Sequence, residues 1–131
     1  MNIKKTIIPY PKSLENCLFP RQKVKPGISC PESWNKVYAL LKKYKRNIEV
    51  KYSSEMNLLD EYSLEVCKDD IYIEAGSEKA AFYAVKTFEQ LESDFSGKIH
   101  DWADIEKRIV MIDLKRISWN FNYLLDLIKR F

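Results

Sequence analysis

The strongest constraint on the fold is a stretch of alternation that reverses once. Tyr62, Leu64 and Val66 alternate with Ser63 and Glu65; past Lys68-Asp69-Asp70, the residues Ile71, Ile73 and Ala75 alternate with Tyr72 and Glu74. Successive side chains of a strand point to opposite faces, so each run has one apolar and one polar face. Two such runs joined by a short polar turn read as a β-hairpin over residues 61 to 75. A hairpin with one apolar face needs a cover for it.

The sequence supplies that cover on both sides. Upstream, Pro31-Glu32-Ser33 opens a helix in which Trp34, Val37, Tyr38, Leu40 and Leu41 recur at helical spacing. It runs out in Lys42, Lys43, Lys45 and Arg46, cations that suit the negative end of a helix dipole. Downstream, Gly76-Ser77-Glu78 stops the hairpin and starts a second helix, with Ser77 as N-cap. Ala80, Ala81, Tyr83, Ala84, Thr87, Phe88 and Leu91 form its inner side, and the small alanines let it lie close to a sheet. A further strand is expected over Asn47 to Ser53, with Ile48, Val50 and Tyr52 on one face. Ile3 to Pro9 is a short β-like run, and residues 10 to 31 read as loop, punctuated by Pro20, Pro26, Gly27 and Pro31. The sum is an α+β layer, a mostly antiparallel sheet with two helices on one face.

The last part of the chain follows a different pattern. Ser93 to Gly97 reads as a loop, and Ile99-His100-Asp101-Trp102 leads toward Arg108. Ile109-Val110-Met111-Ile112 is apolar throughout, the mark of a strand covered on both faces in a parallel sheet. After Asp113-Leu114-Lys115-Arg116 comes a helix carrying Phe121, Leu124, Leu125, Leu127 and Ile128. One buried strand and one amphipathic helix make a β/α unit without a partner strand. Residues 109–112 are therefore expected to pack on the rest of the chain or to pair with a second copy.

Composition narrows the function. A length of 131 residues suits one hydrophobic core, and a net charge of +3 gives little attraction to nucleic acid or anionic membranes. The basic residues gather at one helix end and the aromatics lie on apolar faces, so a nucleic-acid binder is the weakest reading. No apolar run is long enough to span a bilayer or to form a signal peptide, which points to the cytoplasm unless a leader has been removed. Cys17, Cys30 and Cys67 lack metal or redox spacing and read as buried or half-buried thiols. His100 is the sole histidine, and neither a metal site nor a cofactor is expected.

Three stretches resemble glycoside hydrolase family 20, the β-N-acetylhexosaminidases. Ile7-Ile8-Pro9-Tyr10-Pro11 is similar to the family's P-x-P opening. Tyr62 to Val66, Ile71 to Ala75 and Ala81 to Leu91 resemble its non-catalytic N-terminal domain, with the pattern Y-x-L-x-V, I-x-I-x-A and G-x-F-Y-G-x-Q-T-L-x-Q-L, in which Ala80 or Ala81, and Ala84, replace the usual glycines. Ile99, Asp101 and Arg108 to Arg116 resemble the motif that opens its catalytic (β/α)8 barrel. Ala103 and Ile109 stand where proline and glycine are usual. The resemblance implies an accessory domain over 1–98, then a linker and the first strand and helix of an incomplete barrel over 99–131.

It also implies the chemistry of the parent protein. Family members remove terminal N-acetylhexosamine by a substrate-assisted, retaining route in which the acetamido oxygen attacks the anomeric carbon. An Asp orients that group, and the Glu beside it serves as acid and then base. Both belong to a later barrel strand, so this chain is expected to hold no catalytic residue and to be inactive alone. Arg116 matches the family arginine that binds sugar hydroxyls, in keeping with active sites at the C-terminal ends of barrel strands. Its partners would be an N-acetylhexosamine-containing glycan and the missing barrel. Asp60-Glu61 lacks the flanking motif and reads as a solvated strand end; Asp69-Asp70 reads as a turn, and His100-Asp101 as structural or exposed. Arg108 is expected at an interface, and Asp113 as a partner of Arg116 or of a backbone amide. A stand-alone scaffold module of the same fold, or the accessory domain of a family 84 O-GlcNAc hydrolase, is the alternative; the Asp113 to Arg116 spacing favours family 20.

Overall fold

The computed structural model describes residues 11–16, 24–109, 111–113, 115 and 120–130. In chain order the elements are β1 (Ser13–Asn16), β2 (Ile28–Ser29), α1 (Asn35–Leu41), β3 (Asn47–Tyr52), β4 (Tyr62–Cys67), β5 (Asp70–Ala75), α2 (Glu78–Glu89), β6 (Gly97–Asp101) and α3 (Phe121–Arg130). The strands form one sheet in the order β1-β6-β4-β5-β3-β2. β1–β6, β6–β4 and β4–β5 are antiparallel, while β5–β3 and β3–β2 are parallel. The architecture is α+β, as expected.

The hairpin forms in the register its alternation requires: Tyr62 faces Ala75, Leu64 faces Ile73 and Cys67 faces Asp70. Leu64, Ile71, Ile73 and Ile48 are fully buried against Val37 and Leu41 of α1 and Ala80, Ala81, Ala84 and Val85 of α2. The alanines leave no side-chain bulk between α2 and the strands, which is how the helix approaches β4 and β5 closely. Ser77 caps α2 as expected, its hydroxyl accepting from the Ala80 amide at 3.1 Å. Tyr44 and Arg46, just past α1, both pack on the Phe88 ring of α2.

Four expectations change. Residues 10 to 31 are not all loop, because β1 pairs with β6 and β2 extends the far edge along β3. The stretch at Ile99 is not a lead-in: β6 is an inner strand between β1 and β4, Ile99 is fully buried, and the strand crosses the 98/99 boundary. α1 starts at Asn35, after a turn in which the Trp34 amide donates to the Pro31 carbonyl at 2.9 Å. Tyr52, expected on the inner face, is 62% exposed, with the Trp34 ring edge-on to it. It ends its strand beyond the cover of the helices.

The apolar run near the C-terminus also departs from expectation. Ile109, Met111 and Ile112 carry no strand pairing, and Ile109 and Met111 are 84% and 92% exposed. A parallel strand takes its backbone partners from neighbours on both sides, and the described strands offer it none. Packing on the domain is therefore not seen at Ile109 or Met111, while Ile112 is half-buried. α3 forms over the expected residues, but Phe121, Tyr123, Leu125 and Ile128 remain exposed. The Ile3 to Pro9 run, Cys17 and Arg116 lie outside the described residues.

Candidate functional site: a polar junction at the start of β4

The loop between β3 and β4 brings two carboxylates to one end of the sheet. Its path is fixed by Gly76: a Cβ there would lie 2.1 Å from the Met56 carbonyl oxygen, so only glycine permits this approach. The Gly76 amide also donates to the Glu61 carbonyl at 3.2 Å. Asp60 adopts φ +52°, a left-handed conformation that aspartate tolerates better than most residues. Asp60 and Glu61 follow each other with side chains only 7% and 8% exposed. This corrects the expectation of a solvated strand end: both carboxylates are covered and paired.

The two point to different partners. Asp60 Oδ2 lies 2.8 Å from Lys79 Nζ and 3.3 Å from Arg108 Nη2. Arg108 Nη2 also donates to Tyr83 Oη at 3.0 Å, and its guanidinium sits 4.8 Å from the centre of the Tyr83 ring. Glu61 Oε2 accepts the Leu58 amide at 2.8 Å, and Oε1 meets His100 Nε2 at 2.8 Å. Burial pushes the Glu61 carboxyl up. The Leu58 amide, the His100 ring and the Asn57 amide outweigh burial and hold it below the ordinary carboxylate range. His100 is thus structural, with its ring against Trp102.

A second set of bonds ties down the chain that leaves β6. Tyr62 Oη shares a hydrogen bond with Thr87 Oγ1 and donates more weakly to Asp101 Oδ2 at 3.4 Å. Burial pushes the Tyr62 hydroxyl well up, so it stays protonated. The Ala103 amide donates to the Leu59 carbonyl at 2.8 Å. Lys12 donates from its amide to Asp101 and from Nζ to Asp104, the latter at 2.6 Å. Residues 101 to 108 are therefore stitched along the end of the sheet and finish on α2 at Tyr83.

This arrangement is suited to holding, not to acid–base chemistry. A glycosidase acid needs a carboxyl kept protonated near neutrality, whereas Glu61 is shifted the other way and Asp60 faces two cations. Among the described residues no group of three or more His, Cys, Asp or Glu could hold a metal ion. Cys30 and Cys67 are half-buried thiols, and burial, with Glu78 nearby, pushes Cys30 up to about 11. Such a thiol is a poor nucleophile. Asp113 accepts the Lys115 amide at 2.8 Å, one of the two roles expected for it. Arg108, expected at an interface, joins the chain after β6 to the body of the domain. Sequence reasoning missed the junction because its partners are far apart: Asp60 meets Arg108, and Glu61 meets His100, across 48 and 39 residues. Only two adjacent acids at a strand start hinted at it.

No family model and no curated protein sequence matches this chain. Solved structures do. A β-N-acetylhexosaminidase from Bacteroides fragilis superposes with a TM-score of 0.73 at 16% identity, over 96% of this chain and 30% of its own length. The Flavobacterium johnsoniae chitobiase, a family 20 protein, gives 0.58 at 18% identity, over 95% of this chain and 24% of its own. CpGH84D gives 0.65 at 16%, over 94% and 28%. The fold is like that of part of these family 20 hexosaminidases, and CpGH84D shares it. The chain spans less than a third of each of these proteins. Among the described residues no helix is long and apolar enough to cross a membrane.

Proposed function

We propose that this chain is the N-terminal portion of a β-N-acetylhexosaminidase-like glycoside hydrolase: an accessory α+β domain that carries the opening of a catalytic barrel. The observation that carries this reading is the fold match over 96% of the chain to a hexosaminidase more than three times as long. It is supported by the motif from Arg108 to Arg116 and by the junction that fixes Arg108 to the domain. On this reading the parent cleaves terminal N-acetylhexosamine from a glycan by the substrate-assisted route. Arg116 donates hydrogen bonds to sugar hydroxyls, and the Asp-Glu pair comes from later barrel strands. The likeness to CpGH84D supports a second reading, the accessory domain of a related family 84 hydrolase.

The test is hydrolysis of a chromogenic N-acetylglucosaminide by the isolated chain and by a natural longer polypeptide that contains it. The longer form is expected to turn over substrate, and the isolated chain is not. Arg116→Ala in the longer form should lower kcat/KM by roughly tenfold to a hundredfold, the worth of a hydrogen bond from a charged donor. Turnover by the isolated chain, or none by the longer form, overturns the proposal.

A further inference from the structure

We infer that residues 103–108 form a strap, buckled shut by Arg108 on Asp60 and Tyr83, that opens as a local unit while the sheet stays folded. This does not depend on the hexosaminidase reading. The strap has no helix or strand. Its described attachments are polar: the Ala103 amide on Leu59, Asp104 on Lys12, and Arg108 on Asp60 and Tyr83. Ile105, its apolar side chain before the buckle, is 62% exposed. Segments with few buried apolar contacts open at lower free energy than the core they lie on.

The geometry of the buckle makes opening inexpensive. Arg108 and Lys79 share one oxygen of Asp60. When Arg108 leaves, Lys79 still neutralises the covered carboxylate, so no buried charge is stranded, which is the usual large cost of breaking such a pair. Closed, the strap fixes where the following segment departs, beside Tyr83 on α2. Open, it frees that segment and the exposed Ile109 and Met111.

Amide hydrogen exchange on the intact chain tests this. Arg108→Gln is expected to speed exchange at Ala103 roughly tenfold, the worth of a hydrogen bond to a charged group, while the Leu64 and Ile73 amides are unchanged. Lys107→Gln, which removes the same charge one residue away, should leave Ala103 unaffected. Asp60→Asn keeps a residue type that tolerates positive φ and should match Arg108→Gln at Ala103. An unchanged Ala103 rate in Arg108→Gln, or equal acceleration at Ala103 and in β4, would falsify the strap.

Discussion

Leu64, in an alternating run, and Met111, in a continuous apolar one, are both expected in strands, yet Leu64 is fully buried and Met111 is 92% exposed. The difference is not in the side chains, which are similar in size and hydrophobicity. Leu64 has Ile73 on one flank, Ile99 on the other and helix α2 over its face. No described strand lies beside Met111. An apolar pattern states what a segment requires; its neighbours decide whether the requirement is met.

The largest test of this contrast lies in the body. Leu64→Ala should cost about 2–5 kcal/mol, the transfer loss plus the cavity left among rigid neighbours. Urea denaturation followed by circular dichroism measures it. A cost under about 1 kcal/mol would mean that the sheet collapses around the hole, and that this core is looser than its burial implies.

Acid should act on the body next. Glu89 of α2 ties down the segment just past α1, meeting Lys43 at 2.6 Å and the Tyr44 hydroxyl at 3.2 Å, and also meets Lys86 at 2.9 Å. Burial pushes its carboxyl up, but the bonds to Lys43 and Lys86 outweigh this and hold it near 2, from an ordinary value of 4.5. A carboxylate depressed in the folded state lends its full stabilisation above the unfolded value and loses it as pH falls through the folded one. Stability should therefore decline between about pH 4.5 and 2, with Glu61 contributing in the same direction. Thermal melts across this range check it. Glu89→Gln should flatten the decline; an identical pH profile in that variant would remove Glu89 from the account.

The body was legible in the sequence wherever a period was sustained. β3, β4, β5 and α2 each repeat an apolar position two or more times, and Ser77 sits where a cap is needed. β2 has two residues, and β6 has the single apolar residue Ile99, too little to set a period. Their places come from pairing: the Leu64 to Ile99 and Leu14 to Ile99 registers hold β6 from both sides. The junction was illegible for the same reason. Asp60, Lys79, Tyr83 and Arg108 meet only because the loop that Gly76 admits, α2 and the strap converge at one end of the sheet.

The smallest expected effect closes the comparison at its other end. Met111→Ala removes an apolar side chain as large as that of Leu64, but from a site where the folded chain leaves it in water. The transfer term is then nearly equal in folded and unfolded states, and no cavity forms. The change should stay within about 0.5 kcal/mol, as for surface substitutions in general. Sedimentation at several concentrations distinguishes the exception. If Met111→Ala costs more than about 1 kcal/mol, and the cost grows with protein concentration, a second copy covers this segment in solution. The apolar run would then have found its missing neighbour by pairing, and Leu64 and Met111 would differ only in which chain supplies the cover.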